Sequence, residues 1–299
     1  MKRKLAIAFV AFVLAIVAAT LLVLRSSWAA QRLCALAERR VEEMTGLPLR
    51  LEACAIEPLR LQVRAEGVRL GPAEAPVFAA DSVRARLVPV QAVGRRLQLS
   101  ELEAVRPRLA IALPERPAGA PPARCPPPGL AQVEVQRLQV EEGTLDLGLP
   151  GGARVLVGRF DVHTAARSGG EALRQIAGAR RSRVEVDLGP TLIEAAGRQV
   201  LVAEGRLDAD LALDLSRLEV REGRLEVEGV RLGARGEVVD LCRPRLGLDL
   251  TAEAPLPAVF ALLGEGGVRS AGSVAAAVRL GGTPARPAIS GEVRFRGAR

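Results

Sequence analysis

Aliphatic and polar residues alternate one for one along most of the chain beyond residue 50. The clearest run is Arg206-Leu207-Asp208-Ala209-Asp210-Leu211-Ala212-Leu213-Asp214-Leu215, aliphatic on one face and mostly charged on the other. Arg183 to Leu188, Arg245 to Leu250 and Val274 to Leu280 repeat it, as does the alternation of Leu59, Leu61, Val63 and Ala65 with Arg60, Gln62 and Arg64. Successive strand side chains point to opposite faces, so a period of two predicts an antiparallel sheet with one dry and one wet face. In that register Asp210 is wet and Leu211 is dry.

Two earlier segments follow other periods. Leu5 to Leu24 is a run of 20 residues without a charge. At ~1.5 Å per residue such a helix reaches about 30 Å, the hydrocarbon thickness of a bilayer. Lys2, Arg3 and Lys4 precede it and Arg25 follows at once. A cleaved signal would carry a shorter apolar run ending at a small-residue site. Ser27-Trp28-Ala29 imitates such a site, but the length of the run and Arg25 favour a retained anchor. Leu5, Phe9, Phe12, Ile16, Leu21 and Leu24 then lie in the bilayer, with Trp28 at its surface. Only four residues precede the run, so the basic N-terminus stays cytoplasmic and the body lies across the membrane. From Ser27, the spacing of Ala30, Leu33, Ala37, Val41 and Met44 predicts a short amphipathic helix packed on the first strands. Gly46 and Pro48 end it.

The strand-rich body repeats itself. Residues 137–145, RLQVEEGTL, match 217–225, RLEVREGRL, at six of nine positions. A weaker copy is 99–109, LSELEAVRPRL, beside 215–225, and VRLG recurs at 68–71, 230–233 and 278–281. Repeats of a strand–turn–strand unit predict stacking along an axis, each unit burying its apolar face against its neighbours. Two stretches interrupt the order. Pro114 to Pro128 holds seven prolines in fifteen residues and reads as a loop or linker between β segments. Ala254 to Leu263 reads as a short Pro-started helix across a sheet end, and residues 168–181 are open between loop and frayed helix.

In their order these motifs resemble the N-terminal region of the AsmA-like/TamB family. The anchor is followed by TGLPLRLE, EGVRLG, FAADSVRARLVPV, LQLSELEAVRPRLAIALP, a Pro-rich gap and RLQVEEGTLDLG. The tail GSVAAAVRLGGTPARPAISGEVRFRGA is similar to a strand–GT–Pro–strand unit that recurs in that family. The resemblance implies a long β-sheet bent into a taco-shaped groove with an apolar interior, bridging inner and outer membranes. It also implies a role in phospholipid transport or, for TamB, in outer-membrane protein assembly. Members of the TamB type are longer and end in a further domain, so the chain reads as a fragment or a truncated relative, incomplete at its C-terminus.

Composition supports a bacterial source and narrows the chemistry. There is no Tyr or Asn, and the only lysines are Lys2 and Lys4, a bias expected of a GC-rich genome. A net charge of +8 raises nucleic-acid binding, but the arginines alternate with acids, and aromatics at 2% are too few for base stacking. No nucleic-acid partner is expected. Cys34, Cys54, Cys125 and Cys242 form no C-x-x-C pair, and with one histidine they offer no zinc site. They read as isolated small hydrophobes, with Cys34–Cys54 the best pair for a bridge in an oxidising compartment. No G-x-S-x-G elbow, Walker sequence or dinucleotide fingerprint is present. His163 reads as a solvent-facing strand residue, so neither enzyme activity nor a cofactor is expected.

The expected fold is mainly β: a transmembrane helix (1–26), an amphipathic helix with a first β segment (27–113), a Pro-rich linker (114–129) and a repetitive β-groove (130–299). About fifteen strands at ~4.8 Å would run for about 70 Å. Outside the anchor the only Phe residues are Phe78, Phe160, Phe260 and Phe295. That scarcity of bulk favours an open aliphatic trough over two sheets packed face to face. Its expected lining is Leu207, Leu211, Leu213, Leu215, Leu246, Leu248, Leu250, Val274 and Val278. The expected function is a periplasmic lipid-transfer conduit, single-pass in the inner membrane, with phospholipid as cargo and an outer-membrane β-barrel as a further partner. The alternative is a scaffold for outer-membrane proteins that uses an open strand edge.

Overall fold

A computed structural model describes residues 27–57, 60–88, 97–112, 133–166, 181–195, 197–212, 215–262, 270–283 and 286–298. The expected anchor (Leu5, Phe9, Phe12, Ile16, Leu21, Leu24), the Pro-rich segment 114–129 and Leu213 lie outside them. Among the described residues no helix is long and apolar enough to cross a membrane. Trp28 stands in the first turn of helix α1 (Ser27–Thr45).

Helix α1 stops where the sequence predicts. Gly46, at φ +71°, donates its N–H to the Glu42 carbonyl at 2.8 Å. Its buried side chain differs from expectation. Ala37 is exposed, while Cys34 is buried, disulfide-bonded to Cys54 with Cα atoms 6.4 Å apart. Glu38 adds a second tie by accepting the Leu51 N–H at 3.2 Å. Cys242 is also in a disulfide. The reading of the cysteines as isolated hydrophobes is therefore corrected.

Beyond α1 the described strands form one sheet of 17 strands, so two separate sheets packed face to face are not what the sequence builds. In chain order they are β1 (Leu49–Arg50), β2 (Ala53–Glu57), β3 (Gln62–Leu70), β4 (Phe78–Leu87), β5 (Leu97–Val105) and β6 (Arg108–Ala112). Then come β7 (Val133–Val135), β8 (Leu138–Gly148), β9 (Arg154–Ala166), β10 (Arg181–Leu188), β11 (Thr191–Ala195) and β12 (Arg198–Ala212). The last are β13 (Arg217–Val227), β14 (Val230–Val239), β15 (Arg245–Pro255), β16 (Ser273–Thr283) and β17 (Arg286–Arg296). Four pairs of consecutive strands (β1/β2, β5/β6, β7/β8, β10/β11) each act as one broken strand sharing a neighbour. Thirteen ladder positions result, about 62 Å of sheet at ~4.8 Å each, shorter than the 70 Å expected.

Neighbours are antiparallel throughout except at one junction. There β5/β6 and β7/β8 run parallel, with Leu102 beside Leu138 and Leu109 beside Leu145. Parallel neighbours need a connection of about a dozen residues or more, and β6 and β7 are separated by residues 113–132. The β segments on either side of the Pro-rich stretch are thus hydrogen-bonded side by side.

The internal repeat has a different meaning from the one predicted. It is a β-bulge inside a strand, not a strand–turn–strand unit. The register of β8 shifts between Val140 and Gly143, and that of β13 between Val220 and Gly223. The weaker copy breaks at the equivalent place, between β5 and β6, where Arg106 has φ 49°; Glu142 in β8 has φ 54°. An extra residue bends and twists its strand, and an odd insertion restores the apolar residues beyond it to the original face. Leu218 and Val220 before the bulge therefore share a face with Gly223, Leu225 and Val227 after it.

Candidate functional site: an apolar trough on one face of the sheet

Cross-strand register assembles the apolar face row by row. One row runs Val186–Leu207–Gly223–Ala234–Leu250–Val278 across β10 and β12 to β16. The next runs Leu188–Gly205–Leu225–Leu232–Ala252–Ala276 through the same strands. Between them lies a cavity of about 580 Å³, walled by Leu188, Leu207, Leu225, Leu232, Leu250 and Val278 with alanines between. That volume falls within the roughly 300–1,000 Å³ of small-molecule sites. Small residues keep the trough deep: a Cβ on Gly205 would stand 2.6 Å from Leu225 Cδ2, so the leucine lies across the glycine.

Among the described residues no second layer fills this face. Among the described residues no large side chain is less than 2% exposed, and the buried apolar positions are chiefly Ala and Val. Leu225 in the trough is 39% exposed. One end is closed as the sequence suggested, by a short helix α2 (Leu256–Leu262) after β15. Leu256, Ala254, Val227 and Val230 are buried there.

Three of the nine residues expected to line the groove, Leu207, Leu250 and Val278, border the cavity. Leu211, Leu246, Leu248 and Val274 share its face through their register partners Leu218, Val238, Leu280 and Ala254. Leu215 does not: it sits in the turn between β12 and β13 at φ 60°, its N–H on the Ala212 carbonyl. Leu225 and Leu232 complete the wall. The bulge in β13 disguises the alternation that would have placed Leu225 there.

The opposite face carries ion pairs. Arg183 grips Asp208 at 2.7 Å and Arg279 holds Asp249 at 2.9 Å. Each arginine holds its partner carboxyl below the ordinary carboxylate range, chiefly by direct hydrogen bonding. His163 is exposed on this face, in register with Glu185 and Gln139. Asp210 also faces this side but is only 4% exposed, because Arg221, the extra residue of the β13 bulge, folds over it. The wet-face reading of Asp210 is corrected on that account.

No protein-family profile matches this chain, and no curated protein matches it in sequence.

Proposed function

We propose that this chain is a periplasmic lipid-transfer conduit, anchored in the inner membrane, whose trough shields acyl chains from water on the way to the outer membrane. The observation that carries the reading is the continuous aliphatic face over Leu207, Leu225, Leu232, Leu250 and Val278, which among the described residues is left open instead of packed. Each acyl CH₂ withdrawn from water there is worth about 0.8 kcal/mol, so a few carbons offset the cost of ordering a chain. The disulfide between Cys34 and Cys54 supports an oxidising compartment. The uncharged run Leu5–Leu24 and the resemblance to the AsmA-like/TamB family support the anchor and the periplasmic setting.

A photo-crosslinking residue at position 207 or 250, introduced into the full chain in bacterial membranes, tests this. Phospholipid should be captured there and not from position 249 or 279 on the charged face. Equal labelling of both faces, or none from a folded protein, sinks the conduit. A second reading, a scaffold for outer-membrane proteins, is favoured by β17. Every residue of that strand is exposed, with Ile289, Val293 and Phe295 at 69%, 56% and 62%. Such an edge can accept a client strand, and capture of a β-barrel precursor from position 292 would favour it.

A further inference from the structure

The charged face has one region that breaks its own rule. Strands β9, β11 and β12 are apolar on both sides at Val155-Leu156-Val157, Leu192-Ile193 and Val200-Leu201-Val202. Val157 and Val202 are buried on the trough side. On the other side Leu192 is the cross-strand partner of both Leu156 and Leu201, so the leucines form one strip, and Leu201 is 50% exposed. Strands apolar on both faces ordinarily have both faces covered.

The strip borders a hollow of about 1240 Å³ whose other walls come from β3, β4, β6 and β8. Four arginines line it. Three are ion-paired: Arg64 with Glu66, Arg69 with Glu52, and Arg106 with Asp81. Asp146, the remaining acid of the wall, is taken by Arg154. Arg108 alone has no anionic partner among the described residues, and it stands in register beside Thr144.

We infer that this hollow is a second ligand site, distinct from the trough, for a single-chain amphiphile with an anionic oxyacid head. The leucine strip takes the chain. The Arg108 guanidinium, a planar fork suited to carboxylate or phosphate oxygens, takes the head with the Thr144 hydroxyl beside it. A concave wall with a single uncompensated cation matches a ligand carrying one anionic group better than a broad protein surface.

The test uses the full chain in membranes, a diazirine-bearing fatty acid as probe, and mass mapping of labelled peptides. Label is expected on residues 154–158 and 191–202, competed by laurate and not by methyl laurate. Arg108→Gln should lower that labelling about tenfold or more, the worth of a charge-assisted hydrogen bond, and Arg108→Lys should restore part of it. Leu201→Gln, at a half-exposed position, should lower it without unfolding the chain, as judged by far-UV circular dichroism. Label confined to the trough face, equal competition by the ester, or a signal indifferent to Arg108→Gln overturns the proposal. So does labelling by a captured protein and not by the probe. Leu250→Gln, in the trough, should leave this label unchanged, so the two sites can fail separately.

Discussion

Arg221 closes over Asp210. Its Nε donates to Asp210 Oδ2 at 2.8 Å and its Nη2 to the same oxygen, while Asp210 Oδ1 is buried with no hydrogen-bond partner among the described residues. The pairing exists because Arg221 is the inserted residue of the β13 bulge, so its side chain reaches a carboxylate on β12 that an unbulged strand would leave in water.

The two partners should be unequal in a stability assay. Arg221→Ala strands a buried carboxylate and is expected to cost about 3–5 kcal/mol. Asp210→Asn leaves an arginine that is 33% exposed and can hydrate, so about 1–3 kcal/mol is expected. Urea midpoints of the two variants check the order. Equal losses would mean that the bulge does not bury Asp210.

Breaking the Cys34–Cys54 bridge should loosen α1 from the sheet. It closes a loop with a sequence separation of 20, for which chain entropy gives about 3 kcal/mol. Cys54→Ser should lower the urea midpoint accordingly, and reductant should bring the parent chain part of the way to it. An unchanged midpoint would show that the Glu38–Leu51 contact and packing suffice.

Acid should destabilise the sheet through carboxylates that are held ionised. Asp161 accepts the Glu142 N–H of the β8 bulge at 2.8 Å and also pairs with Arg159. The backbone bond first, then Arg159, lowers its pKa, and Arg183 does the same for Asp208. Folded values below the unfolded value of about 4 mean stability that is complete above about pH 4 and lost as pH falls through the folded values. Asp161→Asn should therefore flatten the acid limb of a stability-versus-pH curve. An unaltered limb would assign the loss to other groups.

The alternation in residues 206–211 and 245–250 was enough to place two faces, because strand side chains have a fixed period. It could not foresee Arg221 over Asp210. One inserted residue in β13 shifts the phase locally, and RLEVREGRL looks the same whether its glycine makes a turn or a bulge. The strand–turn–strand reading of that repeat failed for this reason, and Leu225 was overlooked with it. The parallel junction of β5/β6 with β7/β8 was equally hidden, since which strands pair across a 20-residue gap is a long-range choice. Cys34–Cys54 was visible as the best pair, and its formation depended on how α1 returns to β2.

Filling the trough should separate its role as a site from a role as a core. Ala234 and Ala276 lie on the trough face between Leu207, Leu232 and Val278, and they leave its volume open. If that space exists to hold acyl chains, Ala234→Leu with Ala276→Leu should occupy it with the protein's own carbon. Each added CH₂ leaves water at about 0.8 kcal/mol, so thermal stability should hold or rise. Phospholipid captured from position 250 should fall at the same time, since its place is taken. Were the face instead a packed core, the same pair would overfill it and cost roughly 1–3 kcal/mol each. A drop in melting temperature with lipid capture unchanged would overturn the conduit, because stability and occupancy are expected to move in opposite directions only if the trough is meant to be empty of protein.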